Sequence, residues 1–142
     1  MPDNSEIIEA CHLAYTGFER NQREPLLKFL ADDVVFEFPK SLPYGGVYRG
    51  IAEFKAFWAD LYENYYESFN YDAHAVLDAG THVIVPVTAR AKAKNGRTME
   101  NEHCFLFKVS DGKIVYGRIY ADTAKGRDAL QGMVMHPSRA SA

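Results

Sequence analysis

Two residues in the C-terminal half carry the chain's best options for proton transfer. His103 lies inside the run Asn101-Glu102-His103-Cys104-Phe105, and Asp122 closes the stretch Ile119-Tyr120-Ala121. Neutral imidazole donates or accepts a hydrogen bond and titrates near neutrality. A carboxylate at the rim of an apolar cavity is desolvated, which raises its pKa and lets it serve as general base or acid. Each residue also has a structural reading. His103 can be a core histidine bonded to a neighbouring element, and Asp122 can be the N-cap of a helix starting at Thr123.

Whether the two meet depends on the turn Asp111-Gly112. A two-residue loop pairs Ser110 with Lys113 and puts Asn101, His103, Tyr120 and Asp122 on one face. A three-residue loop pairs His103 with Ile119 and turns Asp122 away, unless a bulge at a residue such as Gly117 brings it back. The preceding turn, around Asn95-Gly96, favours three residues, because only then do Val83, Val85 and Val87 share a side with Phe105 and Phe107.

Aromatic side chains supply candidate binding surface. Tyr15, Phe38, Tyr44, Trp58 and Phe105, with Asn101, are the expected substrate-contacting residues. Phe54, Phe57, Trp58, Tyr62, Tyr65 and Tyr66 crowd a single helical segment, more rings than one helix face buries, so some line a pocket or a dimer contact. Other chemistry finds no pattern. The histidines form no H-x-H or H-E-x-x-H arrangement, and strand alternation puts His103 opposite Glu100, Glu102 and Cys104. Glycine-rich phosphate loops are absent. No metal and no cofactor are expected.

The elements that hold these residues change period along the chain. Ile7, Cys11, Ala14 and Phe18 recur at helical spacing behind an Asp3…Glu6 capping box, and Pro25 opens a short second helix. Val34 to Phe38 reads as a strand, Pro43 to Gly50 as a loop or tight hairpin, and Ile51 to Tyr65 as a third helix. From Phe69 the period is two, in runs through Leu77, Val83–Ala91 and Asn101–Val109, with a last strand at Lys113–Asp122. A short helix over Ala124–Met133 precedes a polar tail. Three helices followed by long antiparallel strands define an α+β fold: helices packed on a strongly curved antiparallel sheet, forming a cone with an internal pocket.

Composition narrows the partners. The chain has 142 residues, 47% hydrophobic, with a net charge of −3, which fits one domain and lacks the basic excess of a nucleic-acid binder. No apolar run approaches the ~20 residues that span a bilayer. The opening residues carry neither a basic nor an apolar signal region, and Cys11 and Cys104 read as reduced, so a cytoplasmic protein is expected.

Phe29-Leu30-Ala31-Asp32-Asp33 before a strand, the segment Pro43-Tyr44-Gly45-Gly46-Val47-Tyr48-Arg49-Gly50, and Asp111-Gly112-Lys113-Ile114 through Asp122-Thr123 resemble the SnoaL-like, ketosteroid-isomerase-like domains of the nuclear-transport-factor-2-like superfamily. The resemblance implies one domain over 1–142, with an ordered core of about 5–133 and a polar tail at 134–142. Steroid isomerases in this superfamily keep a Tyr near the place of Tyr15, a catalytic Asp where this chain has Phe38, and a second Asp near His103. A phenyl ring cannot shuttle a proton, so that route is not expected. Polyketide cyclases and limonene-type epoxide hydrolases keep a catalytic Asp that matches Asp122.

The expected function is a cofactor-independent enzyme doing acid/base chemistry on a hydrophobic small molecule, of isomerase, cyclase, dehydratase or epoxide-hydrolase type. The alternatives are a non-catalytic binding protein for an apolar ligand and a structural dimerisation domain. Tyr116, Arg118 and Tyr120 alternate on the last strand and suit a homodimer contact through the convex sheet face.

Overall fold

The computed structural model describes residues 3–131. The polar tail assigned to 134–142, and the end of the last predicted helix at Met133, lie outside the described residues. Helices α1 (Ser5–Tyr15) and α2 (Glu24–Leu27) come first, then strands β1 (Leu30–Phe38) and β2 (Gly46–Arg49), and helix α3 (Gly50–Asp60), which runs on through a wider π-helical turn, Leu61–Tyr65. Strands β3 (Tyr66–Ala73), β4 (Leu77–Asp78), β5 (His82–Ala93), β6 (Thr98–Ser110) and β7 (Lys113–Ala121) precede helix α4 (Thr123–Ala129). One sheet runs in the order β2-β1-β7-β6-β5-β3, with β4 also on β5. The fold is α+β, and the sheet is antiparallel except where β1 lies parallel to β7.

Alternation builds the concave face. Val34, Phe36 and Phe38 of β1, the odd-numbered residues Val83 to Ala93 of β5, and the odd-numbered residues Met99 to Phe107 of β6 are buried. Helix α1 covers β3 and β5 with Ile7, Ala10, Cys11, Ala14 and Tyr15, while α3 lies on β1 and β2. Gly117 permits the tightest crossing in this layer, since a Cβ there would lie 2.5 Å from the Phe36 ring.

Several expectations are corrected. The Asp3 capping box does not form: Asp3 accepts from Ser5, and Asn4, the N-cap residue, instead donates to Asp78 and to the Gly80 carbonyl. The run through Leu77 is not one strand. Pro86 lacks an N–H to offer on the side where its carbonyl accepts from His74, and β3 stops at Ala73 before β4 resumes at Leu77. The β5–β6 hairpin has the expected register, Lys92 opposite Thr98 and Val83 opposite Phe107.

The β6–β7 hairpin has the two-residue turn of the first reading but the register of neither, since those pair His103 with Tyr120 or with Ile119. Asp111 (φ 51°) and Gly112 (φ 73°) make a two-residue turn that pairs Ser110 with Lys113. An extra residue then enters at Val115, between the pairs Val109–Ile114 and Lys108–Tyr116. The bulge shifts the register so that His103 faces Ala121.

Candidate functional site

That register decides what surrounds His103. On the concave face it lies between Val87 of β5 and Ala121 of β7. Its ring centroid is 5.9 Å from Phe69, 6.0 Å from Tyr71 and 6.5 Å from Phe105. Nδ1 is buried without a hydrogen-bond partner among the described residues. Burial in this aromatic wall pushes the imidazole pKa down to about 4, against a small opposing pull from Glu102, so the ring is neutral at pH 7. Asn101, one inward position away, donates from Nδ2 to the Asp122 carbonyl at 2.9 Å. Its Oδ1 is buried and unpartnered.

Aromatic rings make up the rest of the wall. Tyr15 stacks on Phe105 at 4.5 Å and meets Tyr71 edge-on at 5.4 Å, while Phe38 stacks on Phe57 at 3.9 Å. The hydroxyls of Tyr44 and Tyr66 lie 3.1 Å apart. Burial holds the phenols of Tyr15, Tyr44 and Tyr71 well above their ordinary range and lifts Tyr66 to about 12, so all four stay protonated. Trp58 is half-buried between Tyr62 and Phe57. Arg23 lies over it, its guanidinium carbon 4.3 Å from the indole centroid.

Of the expected site residues, Tyr15, Phe38, Tyr44, Asn101, His103 and Phe105 are buried along the concave side, with Trp58 half-buried beside them. Asp122 is not brought to His103. It is exposed, one step past the Ala121 that pairs with His103, and its carboxylate accepts from the Lys125 N–H at 3.4 Å as the N-cap of α4. No Asp or Glu among the described residues is buried. The chemistry available inside the cone is therefore that of neutral imidazole, phenols, one carboxamide and one guanidinium. Grooves of about 740, 560 and 480 Å³ lie on the outward face beside Phe18 and Arg90, beside α4, and at the sheet rim near Arg118.

Sequence reasoning missed Arg23 and the pairing of Tyr66 with Tyr44. Tyr66 follows directly on a helical run and was not separable from it. Arg23 precedes Glu24-Pro25 in a segment whose composition carries no sign of burial.

The architecture, helices over a curved sheet with a polar-dotted aromatic interior, is that of the nuclear-transport-factor-2-like cone. The SnoaL-like domain family matches residues 13–117, most of the chain, and the chain belongs to that family. Among solved structures it is similar to a nuclear-transport-factor-2-like protein from Burkholderia thailandensis (TM-score 0.80, 22% identity, covering 92% of this chain and 99% of that one). A protein of the same description from Burkholderia xenovorans is 27% identical (TM-score 0.66, covering 75% of this chain and 81% of that one). TerC, co-crystallised with polyporic acid, is 22% identical (TM-score 0.75, covering 88% and 98%). No curated protein matches the sequence. No helix among the described residues is long and apolar enough to cross a membrane.

Proposed function

We propose that this SnoaL-like domain binds a hydrophobic small molecule inside the cone and moves a proton on it, without a cofactor, with His103 as the base. The observation that carries the reading is the unpartnered Nδ1 of His103 in the aromatic wall. A buried polar atom without a partner costs about 1–3 kcal/mol, a cost that a ligand's hydrogen bond would offset. A pKa near 4 leaves all of the imidazole in its basic form at neutral pH. Taking a proton alone would leave an unpaired imidazolium in that wall. Taking it from a carbon acid leaves an enolate beside the imidazolium, and the two charges compensate, with protonated Tyr15 and Tyr71 available as donors to the enolate oxygen. TerC's polyporic acid supports small-molecule occupancy of this fold.

The test is α-proton exchange of 2-tetralone in D2O, followed by NMR. The chain is expected to accelerate exchange, and His103→Leu to lower the rate by ~10²-fold, the scale of a lost general base. Binding of the ketone without exchange would leave the non-catalytic reading in its place. A loss on Asp122→Asn, with His103→Leu active, would move the base to Asp122.

The same reading includes a homodimer through the outward sheet face. Tyr116 donates to Glu37, Arg118 pairs with Glu37 at 3.4 Å and covers Tyr120, and Tyr120 is 48% exposed, a large ring left to solvent. Light scattering at tens of micromolar is expected to give twice the chain mass, about the range where a standard-size interface holds. A monomer at that concentration excludes the dimer.

A further inference from the structure

The polar groups along the cone are unequal in kind. Donors dominate: Tyr15, Tyr44, Tyr66 and Tyr71 are protonated phenols, Trp58 carries an indole N–H, and Arg23 carries a permanent charge. The phenols can also accept, as Tyr62 does from Arg23, but acceptors that carry no proton of their own are few. Asn101 offers Oδ1 and His103 one ring nitrogen, and no carboxylate is buried among the described residues.

Arg23 makes the imbalance electrostatic. Two of its nitrogens are occupied beside the edge of β3: Nη2 donates to the Phe69 carbonyl at 2.7 Å, and Nη1 at 2.8 Å to the hydroxyl of Tyr62 in the π-helical turn, which itself donates to that carbonyl. Sealing an edge strand explains those two bonds. It does not explain the third nitrogen, because Nε is buried and has no partner. Nor does it explain the charge. Arg23 forms no ion pair among the described residues, although exposed cations elsewhere do: Arg90 with Glu100, Lys92 with Glu67 and Arg118 with Glu37. A half-buried guanidinium stacked on an indole, without a counter-ion, is an incomplete arrangement. The Tyr71 ring lies 5.5 Å from the guanidinium carbon, and Arg23 exerts its field on the phenols of both Tyr15 and Tyr71.

We infer that the ligand of the cone is a flat aromatic compound bearing an anionic oxygen, a carboxylate, phenolate or enolate, and that Arg23 with Tyr15 and Tyr71 selects that charge. The inference rests on the small-molecule reading above and adds a ligand class to it. The aromatic body matches the ring-lined wall, and the anionic oxygen supplies the charged acceptor and the counter-charge that no buried carboxylate provides among the described residues. A cationic ligand would meet Arg23 with no carboxylate to offset the repulsion.

The chain itself carries the reporter. Trp58 is its single tryptophan and lies under Arg23, so its fluorescence reads occupancy at this position. Three probes share one skeleton and differ in charge: 2-naphthoate, 2-acetylnaphthalene and 2-naphthylmethylammonium. Each is titrated against the unmodified chain, with calorimetry as a second readout. The expected order places naphthoate about tenfold or more tighter than the neutral ketone, and the ammonium weakest. Arg23→Lys keeps a charge but loses the planar fork, and is expected to narrow the naphthoate preference. Tyr15→Phe leaves the β3 edge untouched and is expected to weaken naphthoate by about threefold to tenfold, more than it weakens the ammonium. Equal affinity for the three probes, or tightest binding of the ammonium, overturns the anion inference and leaves the small-molecule reading standing. Failure of all three to bind overturns both.

Discussion

Strand β6 shows one backbone two different environments. Toward the cone it presents Asn101, His103 and Phe105, buried, with two polar atoms unpartnered. Toward the outside it presents Glu100 and Glu102, exposed and paired: Glu100 with Arg90 at 3.4 Å, and Glu102 with His74 at 3.1 Å and with Thr88. Only one of these faces carries a functional signal. Paired charges on a solvated face cost little and specify little. An unpaired nitrogen in an aromatic wall has a standing cost, and it is this cost that the proposed ligand would offset.

The largest effect that separates the two faces is packing. Phe105 stacks on Tyr15 and lies between Tyr71 and Phe107, so Phe105→Ala is expected to cost about 3–5 kcal/mol of stability. Leu106, its outward neighbour, is half-buried, and Leu106→Ala is expected to cost about 1 kcal/mol. Urea unfolding of the two variants checks this. Equal costs would mean that the outward face is covered as deeply as the cone, and would favour a second copy seated on it.

The next effect is in pH. The folded-state pKa of His103 is depressed, so the unfolded chain binds the extra proton first as pH falls from 6.5 toward about 4. Its neutral form therefore contributes stability that is fully present above the unfolded pKa and is lost on acidification toward the folded one. The size is about 3 kcal/mol, since each pKa unit is worth about 1.4 kcal/mol. Carboxylates titrate in the same range, so the measurement is a difference. His103→Leu is expected to flatten the stability curve between pH 7 and 4 relative to the parent. Identical curves would place the ring in water and remove the contrast between the faces.

Asp122 lies where the two faces end, and its expected effect is smaller. As the N-cap of α4, Asp122→Ala is expected to lower stability by about 1 kcal/mol, whereas Asp122→Asn, an equally good cap, changes it little. Thermal melts of both variants decide this. A loss for Asn as large as for Ala would mean that the charge matters, and with it a role beyond the cap.

The architecture was legible in the sequence because it rests on periodicity. The odd-numbered residues of β5 and β6 are mostly apolar, which set both the inward face and the register of the first hairpin. The register of the second was not legible. Asp111-Gly112 specifies its two-residue turn, but the bulge at Val115 has no signature in a run of alternating Ile, Val and Tyr, and it is the bulge that sets Ala121 opposite His103. Burial of His103 and Asn101 followed from alternation. Their missing partners did not, because a partner is a property of every neighbouring strand at once. Arg23 was illegible for the same reason: the Phe69 carbonyl and Trp58 that hold it are more than thirty residues away.

The smallest expected effect is on the outward face itself. His74 and Glu102 are both exposed, and their bond holds the Glu102 carboxyl below its usual range without burying it. Removing it by His74→Ala, Glu102→Gln and the double variant is expected to give a coupling of about 0.5 kcal/mol or less, the scale of solvent-exposed pairs. Salt near 1 M, where the screening length falls to about 3 Å, is expected to reduce even that. The contrast between the faces of β6 depends on this smallness. A coupling of about 2 kcal/mol that survives salt would mean the pair is desolvated in solution. Glu102 would then belong to a covered surface, and the outward face of β6 would call for a partner as the unpaired nitrogen of the cone calls for the proposed ligand.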